Sequence, residues 1–121
     1  IYINDGKLDL MWQQRSVDVF LGLPYDIAIY ALLLQLLCKN TNYMAGELIG
    51  SFGDCHLYNN HIDQSKEQLS RSFRELPNVI INNGIRIHKR KGRQELELPS
   101  HKDIKLEGYN PHPPIKAELS I

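Results

Sequence analysis

The sequence has little of several features that would narrow its function at once. It contains two cysteines, Cys38 and Cys55, without the density of a disulfide scaffold or the paired spacing of a zinc site. Its formal net charge is zero, so no long-range field attracts nucleic acid or an anionic membrane. These absences favour reduced thiols in a cytoplasmic protein that binds any anion through local contacts.

Long hydrophobic runs are also missing. The longest apolar run covers residues 27–38, includes Tyr30 and Gln35, and falls short of the ~20 residues that a membrane-spanning helix requires. The first residues lack the charged start and apolar stretch of a signal peptide, so we expect none. The basic run at residues 88–93 has no interleaved aromatic side chains, which favours a solvated loop over a nucleic-acid site.

The opening of the chain predicts a β-hairpin. Residues 1–3 have strand character, residues 4–7 form a turn signal, and residues 8–15 are the antiparallel return strand. A chain of 121 residues can bury one core. Because a protein seldom begins inside a strand, we expect further sequence upstream.

A predicted helix at residues 25–39 follows Gly22 and Pro24, which typically precede or begin a helix. It is apolar on nearly all sides, so we expect it to be buried. The remaining predictions are a helix at residues 59–74 and strands at residues 47–58 (with a bulge at Gly50 and Gly53), 79–81, 85–87, 104–106 and 115–119, with a tight turn at residues 82–84. The fold class is therefore mixed α/β (α+β), a mixed sheet with a buried central helix.

Arg15 and Ser16 form a candidate phosphate site. A guanidinium donates two parallel charge-assisted hydrogen bonds to a phosphate, and a neighbouring hydroxyl adds a third. Taken alone, however, the pair favours a surface ion pair between Arg15 and Asp18.

His56 and Tyr58 lie two residues apart in a predicted strand, so both side chains face the same way. An imidazole and a phenol in that arrangement can hold a sugar hydroxyl. The alternative is a pair of satisfied, half-buried polar residues. Adding His61 does not give a metal site, because no acidic or thiolate partner has convincing ligand spacing.

Three stretches together resemble the thymidylate synthase family, in its order and at its spacing. They are residues 14–28 (QRSVDVFLGLPYDIA), residues 53–61 (GDCHLYNNH) and residues 107–116 (EGYNPHPPIK). The resemblance spans essentially the whole chain, and residues 82–102 match least. It implies a thymidylate synthase-like fold, of which residues 1–121 are the C-terminal part of one catalytic domain.

The resemblance also implies a role for individual residues. Arg15 and Ser16 would hold the nucleotide 5'-phosphate, and His56 and Tyr58 the 3'-hydroxyl of deoxyribose. The pyrimidine edge would be read by Asp26. The folate side of the pocket would be formed by Asp18, Leu21, Gly22, Tyr25 and the C-terminal Ile121, whose carboxylate resembles the tail that closes over the ligands.

Two departures from the family pattern stand out. The family's nucleophile is a cysteine in a Pro-Cys-His segment shortly before the opening strand, and neither Cys38 nor Cys55 matches it. We therefore expect this chain alone to be inactive, with the nucleophile supplied by the missing N-terminal half. The second departure is Asp26, where the family normally has asparagine; an aspartate there resembles the related deoxycytidylate hydroxymethylases.

The expected activity is one-carbon transfer from 5,10-methylenetetrahydrofolate to C5 of dUMP, giving dTMP, in a cytoplasmic homodimer without a metal. Asparagine matches the donor and acceptor order of uracil, whereas a carboxylate accepts well from the cytosine amino group. A dCMP-specific hydroxymethylase or methylase is therefore the alternative. A third possibility, of a different class, is a non-catalytic nucleotide-binding fragment.

Overall fold

A computed structural model describes residues 1–120, and its central feature is a three-stranded mixed sheet in the order β1-β2-β3. The strands are β1 (Tyr2–Asn4), β2 (Lys7–Asp18) and β3 (Met44–His56). β1 pairs with β2 antiparallel, whereas β2 pairs with β3 parallel. The β1–β2 turn places Asp5 and Gly6 at positive φ, as an Asp-Gly hairpin turn requires, so the predicted opening hairpin is confirmed.

The parallel pairing of β2 and β3 requires a crossover, which is supplied by helix α1 (Leu23–Thr41). Proline lies in its first turn, and Asn42 ends it in the left-handed conformation with its N–H bonded to the Cys38 carbonyl at 3.0 Å. One face of α1 packs on the sheet. The core that results is formed by Leu8, Leu10, Leu34 and Cys38, flanked by Tyr30, Leu37 and Leu48.

The burial of α1 is one-sided in this chain. The face that contacts the sheet is covered, but Ile27 is 43% exposed and Ile29 is 62% exposed. The burial predicted for a helix that is apolar on nearly all sides is therefore complete on one face only. The sheet covers that face and Asn40 bonds to Ile85 near the C-terminal end of α1, while Ile27 and Ile29 stay accessible.

The bulge between the parallel strands lies at a different position from the one predicted. The register of β2 and β3 shifts at Asp9, whose carboxylate accepts the Glu47 N–H at 2.7 Å. Gly50 and Gly53 belong to the continuous part of the pairing, so the predicted bulge there is wrong. Glycine is needed at 53 for space, because a Cβ would lie 2.7 Å from the Arg15 carbonyl oxygen.

The second half of the chain forms smaller elements. Two two-stranded antiparallel sheets pair β4 with β7 and β5 with β6. The elements are a 3-10 helix (Asn59–His61), α2 (Ile62–Ser70), β4 (Asn78–Ile81), β5 (Arg86–Arg90), β6 (Arg93–Glu97), a second 3-10 helix (His101–Asp103) and β7 (Ile104–Glu107).

The predicted strands on either side of residues 82–84 both form, as β4 and β5, but they do not pair with each other. The Asn40 amide instead bonds to the N–H and the carbonyl of Ile85, at 2.8 and 2.6 Å. Two local predictions in this half are wrong. The basic run predicted as a loop lies in the exposed β5–β6 hairpin. Residues 115–119 are not a strand.

No helix within residues 1–120 has both the length and the apolar character needed to cross a membrane.

Candidate functional site

The connection from β2 to α1 is a tight turn organised by Asp18. Its carboxylate accepts the backbone N–H groups of Phe20 at 3.0 Å and Leu21 at 3.2 Å. The Gly22 N–H donates to the Asp18 carbonyl at 3.0 Å, and a Cβ at this glycine would lie 3.1 Å from the same oxygen. Asp18, Leu21 and Gly22, all predicted site residues, are thus brought together, and the Asp18 carboxylate has a structural role in this turn.

Asp26 lies in the first turn of α1 and is half-buried against β2. The Gln14 amide nitrogen donates to Oδ2 of Asp26 at 2.7 Å and also contacts the Ser16 carbonyl at 3.2 Å. The carbonyl end of the same amide accepts the indole N–H of Trp12 at 3.3 Å. A continuous hydrogen-bonded chain therefore runs from Trp12 through Gln14 to Asp26.

Gln14 and Trp12 were not predicted as functional residues. The contact between Trp12 and Gln14 could be predicted from the sequence, since residues two apart in a strand share a face. The contact of Gln14 with Asp26 could not, because it depends on how α1 crosses back over β2.

Trp12 is held by an aromatic cluster inside the α1–sheet interface, where it is 7% exposed. Its ring stacks on Tyr30 with centroids 4.8 Å apart and meets the edge of Phe52 at 5.6 Å. On β3 it faces Gly50, where a Cβ would lie 2.8 Å from the indole. Glycine at 50 therefore makes the space that Trp12 fills, and the indole N–H has a defined position.

His56 and Tyr58 are brought together as predicted, at the end of β3. Their rings are 4.8 Å apart in an edge-to-face arrangement at 80°. Nδ1 of His56 lies 3.4 Å from a carboxylate oxygen of Asp54, without the alignment of a hydrogen bond. Within residues 1–120, neither His56 Nε2 nor the Tyr58 hydroxyl bonds to the protein, so both are free for a ligand.

His61 holds the C-terminal segment, a role that the sequence did not indicate. It is completely buried, with its ring against Phe20 and Tyr58 at centroid distances of 5.4 and 5.9 Å. Its Nε2 lies 2.7 Å from the Glu118 carbonyl, so Nε2 carries the proton and donates. The Asn60 amide donates to the same carbonyl at 3.3 Å. His61 thus ties the C-terminal segment to the end of β3.

Arg15 and Ser16 leave β2 on opposite faces, because successive side chains of a strand alternate. Arg15 is exposed and borders an open cavity of about 420 Å³ together with Gln13 and Ser51. Across residues 1–120 no salt bridge joins Arg15 to Asp18, so the alternative of a surface ion pair is not observed. The Arg15 guanidinium remains available to an anion. Because Arg15 and Ser16 lie on opposite faces of β2, a phosphate that binds both must lie at the edge of the strand.

A second cavity, of about 720 Å³, lies between the β2–α1 turn and the C-terminal segment. Its volume falls in the range of small-molecule sites. Its lining mixes apolar and polar groups from Leu21, Asn60, Gln64, Ile115, Lys116, Ala117 and Glu118. Of the residues predicted for the folate side, Leu21 lines this cavity; Gly22 and the exposed Tyr25 are neighbours in sequence but not lining residues. Ile121 lies outside the described residues.

Neither cysteine has the surroundings of a nucleophile at this site. Cys38 is buried in the core, where desolvation raises the pKa of its thiol. Cys55 is exposed but alternates with His56 in β3, so it points away from the face of the imidazole. Among residues 1–120, no three His, Cys, Asp or Glu side chains cluster in a way that could hold a metal ion.

A mixed sheet crossed by one helix, with imidazole, phenol, guanidinium and carboxyl groups on its strands and at their ends, defines a mixed α+β protein with a candidate polar ligand site. The sequence matches the thymidylate synthase family over residues 1–121. It is 45% identical over 120 residues to thymidylate synthase from Listeria monocytogenes serotype 4a (strain HCC23) and likewise to that of serotype 4b (strain CLIP80459). Each alignment covers 99% of this chain and 36% of the relative. The chain belongs to the thymidylate synthase family and spans about a third of the length of these relatives.

Proposed function

We propose that this chain supplies most of the nucleotide pocket of an enzyme that transfers a one-carbon unit from 5,10-methylenetetrahydrofolate to C5 of dUMP. The observation that carries the proposal is the family match over residues 1–121. The free polar groups at the edge of the sheet support it.

The nucleotide would be held at two ends. Arg15 and Ser16 bind the 5'-phosphate, because a guanidinium without a protein partner is an anion site. His56 and Tyr58 bind the 3'-hydroxyl with the two polar atoms that the protein leaves free. Asp26 reads the base edge between them.

The co-substrate would bind on the Leu21 side. The cavity of about 720 Å³ offers Leu21, Ile115 and Ala117 to an aromatic ring and Asn60 and Gln64 to its polar groups. This lining fits a flat, partly polar ligand such as a folate. The co-substrate supplies the carbon; Asp18 orients its ring, and the C-terminal segment held by His61, ending in Ile121, excludes water from the site.

The nucleophile would come from outside this chain, from the N-terminal half of the domain. A cysteine adds to C6 of the pyrimidine and thereby activates C5. The buried Cys38 and the outward-facing Cys55 are unsuited to this step. This chain alone is therefore inactive, and it acts when joined to or assembled with the segment that carries the nucleophile.

A second candidate substrate is dCMP, in a hydroxymethylase or methylase reaction, and Asp26 favours it. Within residues 1–120 its carboxylate accepts one hydrogen bond, at Oδ2 from Gln14. Oδ1 is thereby left as an acceptor, which suits the amino group of cytosine.

The complete enzyme would act in the cytoplasm as a homodimer. On the sheet face opposite α1, the apolar side chains of Met11 and Ile49 are 51% and 41% exposed and lie in register. A second copy would cover them. Sedimentation of the complete enzyme should therefore give a dimer, and a monomer would contradict this arrangement.

The activity is tested in the complete enzyme by comparing kcat/KM for dUMP and dCMP with methylenetetrahydrofolate. Turnover of either nucleotide that depends on Arg15 and Tyr58 supports the proposal. Absence of turnover for both, in a preparation that carries the nucleophile, overturns it in favour of a binding protein.

A further inference from the structure

The hydrogen-bonded chain from Trp12 to Asp26 has a fixed direction. An indole N–H only donates, so the Gln14 atom that faces it must be the carbonyl oxygen Oε1. The NH2 end of the same amide then faces Oδ2 of Asp26 and the Ser16 carbonyl, which both accept. All three contacts agree on one orientation of the amide.

This orientation decides what Asp26 can present to a ligand. The Gln14 NH2 group donates to Oδ2 and leaves Oδ1 of Asp26 as a free acceptor. If the amide turned over, Oε1 would face Oδ2, and the two acceptors would repel each other and displace the carboxylate. The direction of the Gln14 amide therefore controls where Asp26 presents its free acceptor.

Trp12 and the Ser16 carbonyl both oppose the turnover, and Trp12 is the one of the two that makes its contact through a side-chain atom. Trp12 is buried between Tyr30 and Phe52 and occupies the space opposite Gly50, so its N–H cannot move away. A phenylalanine in its place would keep an aromatic ring but would remove one of the two neutral contacts that distinguish the ends of the amide, leaving the Ser16 carbonyl as the other.

We propose that Trp12 is a positioning residue for base selection, acting through Gln14 to hold Asp26 as a hydrogen-bond acceptor and so favouring a pyrimidine with an exocyclic amino group. The proposal rests on the assignment of Asp26 to the base edge in the proposed function. Trp12 would then be a specificity determinant that does not contact the base. Its effect on the ratio of the two affinities is expected whether dUMP or dCMP is turned over faster.

The test measures the dissociation constants of dCMP and dUMP by calorimetry in the complete enzyme, because binding is readable even without turnover. Trp12→Phe should lower the affinity for dCMP relative to dUMP by roughly threefold to tenfold, the scale of one net hydrogen bond. Tyr30→Phe, which keeps the stacked ring and the indole N–H, is the matched control and should leave the ratio unchanged. Gln14→Met, which retains Trp12 but removes the donor, should reproduce the shift and covers the case in which Trp12→Phe does not fold.

The decisive comparison repeats Trp12→Phe in an Asp26→Ala background. Alanine makes no hydrogen bond with the Gln14 amide or the base, so the substitution should leave the dCMP-to-dUMP ratio within about twofold there, well below the scale of a lost hydrogen bond. An equal shift in both backgrounds would mean that Trp12 acts only through packing, and the proposal would be overturned. Unchanged ratios in Trp12→Phe and Gln14→Met would overturn it as well, while leaving the proposed function intact. Failure to bind either nucleotide would overturn both.

Discussion

The polar side chains at this site differ in how many of their donor and acceptor atoms are hydrogen-bonded within the protein. Asp26 gives one carboxylate oxygen to Gln14, whereas His56 and Tyr58 keep their outer polar atoms free and Arg15 has no acidic partner within residues 1–120. Unused polar groups at the edge of a sheet are available to a ligand at no cost in broken protein contacts. Individual residues therefore divide into those whose polar groups hold the fold and those whose polar groups are available to a ligand.

Replacing Asp26 with asparagine should move substrate preference toward dUMP. An amide can donate to O4 and accept from N3–H of uracil, while against cytosine it leaves one polar pair mismatched at about 1–3 kcal/mol. We expect the ratio of kcat/KM for dUMP over dCMP to rise by about tenfold or more. Steady-state kinetics of both proteins with both nucleotides measure this. An unchanged ratio would remove Asp26 from base recognition.

Replacing Arg15 with alanine should weaken binding of dUMP and dCMP equally. A phosphate contact carries no base information, and its loss should cost on the order of 1.5–3 kcal/mol. Deoxyuridine and deoxycytidine, which lack the phosphate, should bind as before. Calorimetry with the four ligands measures the effect, and Arg93→Ala, on the exposed β5–β6 hairpin, is the control. Equal losses for nucleoside and nucleotide would exclude the phosphate assignment.

At the scale of elements, the site depends on how segments distant in sequence are tied together. Asp18 closes the β2–α1 turn, Asn40 fixes the loop before β5, and His61 anchors the C-terminal segment. In each tie, a side chain bonds to backbone groups that make no hydrogen bond within a strand or helix. Two of these ties, at Asp18 and His61, hold segments that line the cavity of about 720 Å³.

His61→Leu should loosen the C-terminal segment. The substitution keeps an apolar volume but leaves the Glu118 carbonyl without its buried donor, which should lower the free energy of unfolding by about 1–3 kcal/mol. Asn60→Ala removes only the longer, exposed bond to the same carbonyl and should cost less than about 0.5 kcal/mol. Urea unfolding of both variants gives the comparison. Equal effects would show that His61 is not the anchor.

Asp103 should make stability depend on pH in the acid range. The Ser100 hydroxyl, then the Asn83 amide, donate to its carboxylate and lower its pKa below the usual value. Because the folded pKa is depressed, the stabilisation is fully present above about pH 4 and is lost as the pH falls below that value. Unfolding free energies of the native protein and of Asp103→Asn, measured between neutral and acid pH, should converge as the pH falls. Parallel curves would contradict the assignment.

The elements that sequence patterns predicted correctly are those fixed by local chemistry. Each depends on residues that are close together in the sequence. They are the Asp5-Gly6 turn, the proline in the first turn of α1 and the proximity of His56 and Tyr58. The strands β4 and β5 were predicted as elements, but their pairing with β7 and β6 was not, and the contact of the distant Asn40 amide with Ile85 had no local signal.

The parts of the site that sequence could not give are similarly non-local. Gln14 meets Asp26 only because the chain crosses over through α1, and His61 meets Glu118 across 57 residues of separation. Composition and spacing carry no information about such contacts. The family resemblance located Arg15, Asp26 and Tyr58, while the groups that position them required the fold.

At the scale of the whole molecule, the chain belongs to the thymidylate synthase family and covers 36% of the length of the relatives it matches. The exposed apolar face of α1 and the exposed sheet residues Met11 and Ile49 are surfaces that the rest of such an enzyme would cover. The complete assembly, in which a cysteine meets this nucleotide pocket, is therefore the active unit in our account.

The most direct test of that account is release of the C5 hydrogen. Forming a carbon–carbon bond at C5 displaces the hydrogen there, so dUMP or dCMP tritiated at C5 should release tritium to water during turnover. We predict release that requires this chain, the segment carrying the nucleophilic cysteine and methylenetetrahydrofolate together, and that falls sharply in Tyr58→Phe, which loses the 3'-hydroxyl contact. Release that proceeds without this chain, or no release from either nucleotide in the complete assembly, would contradict the account.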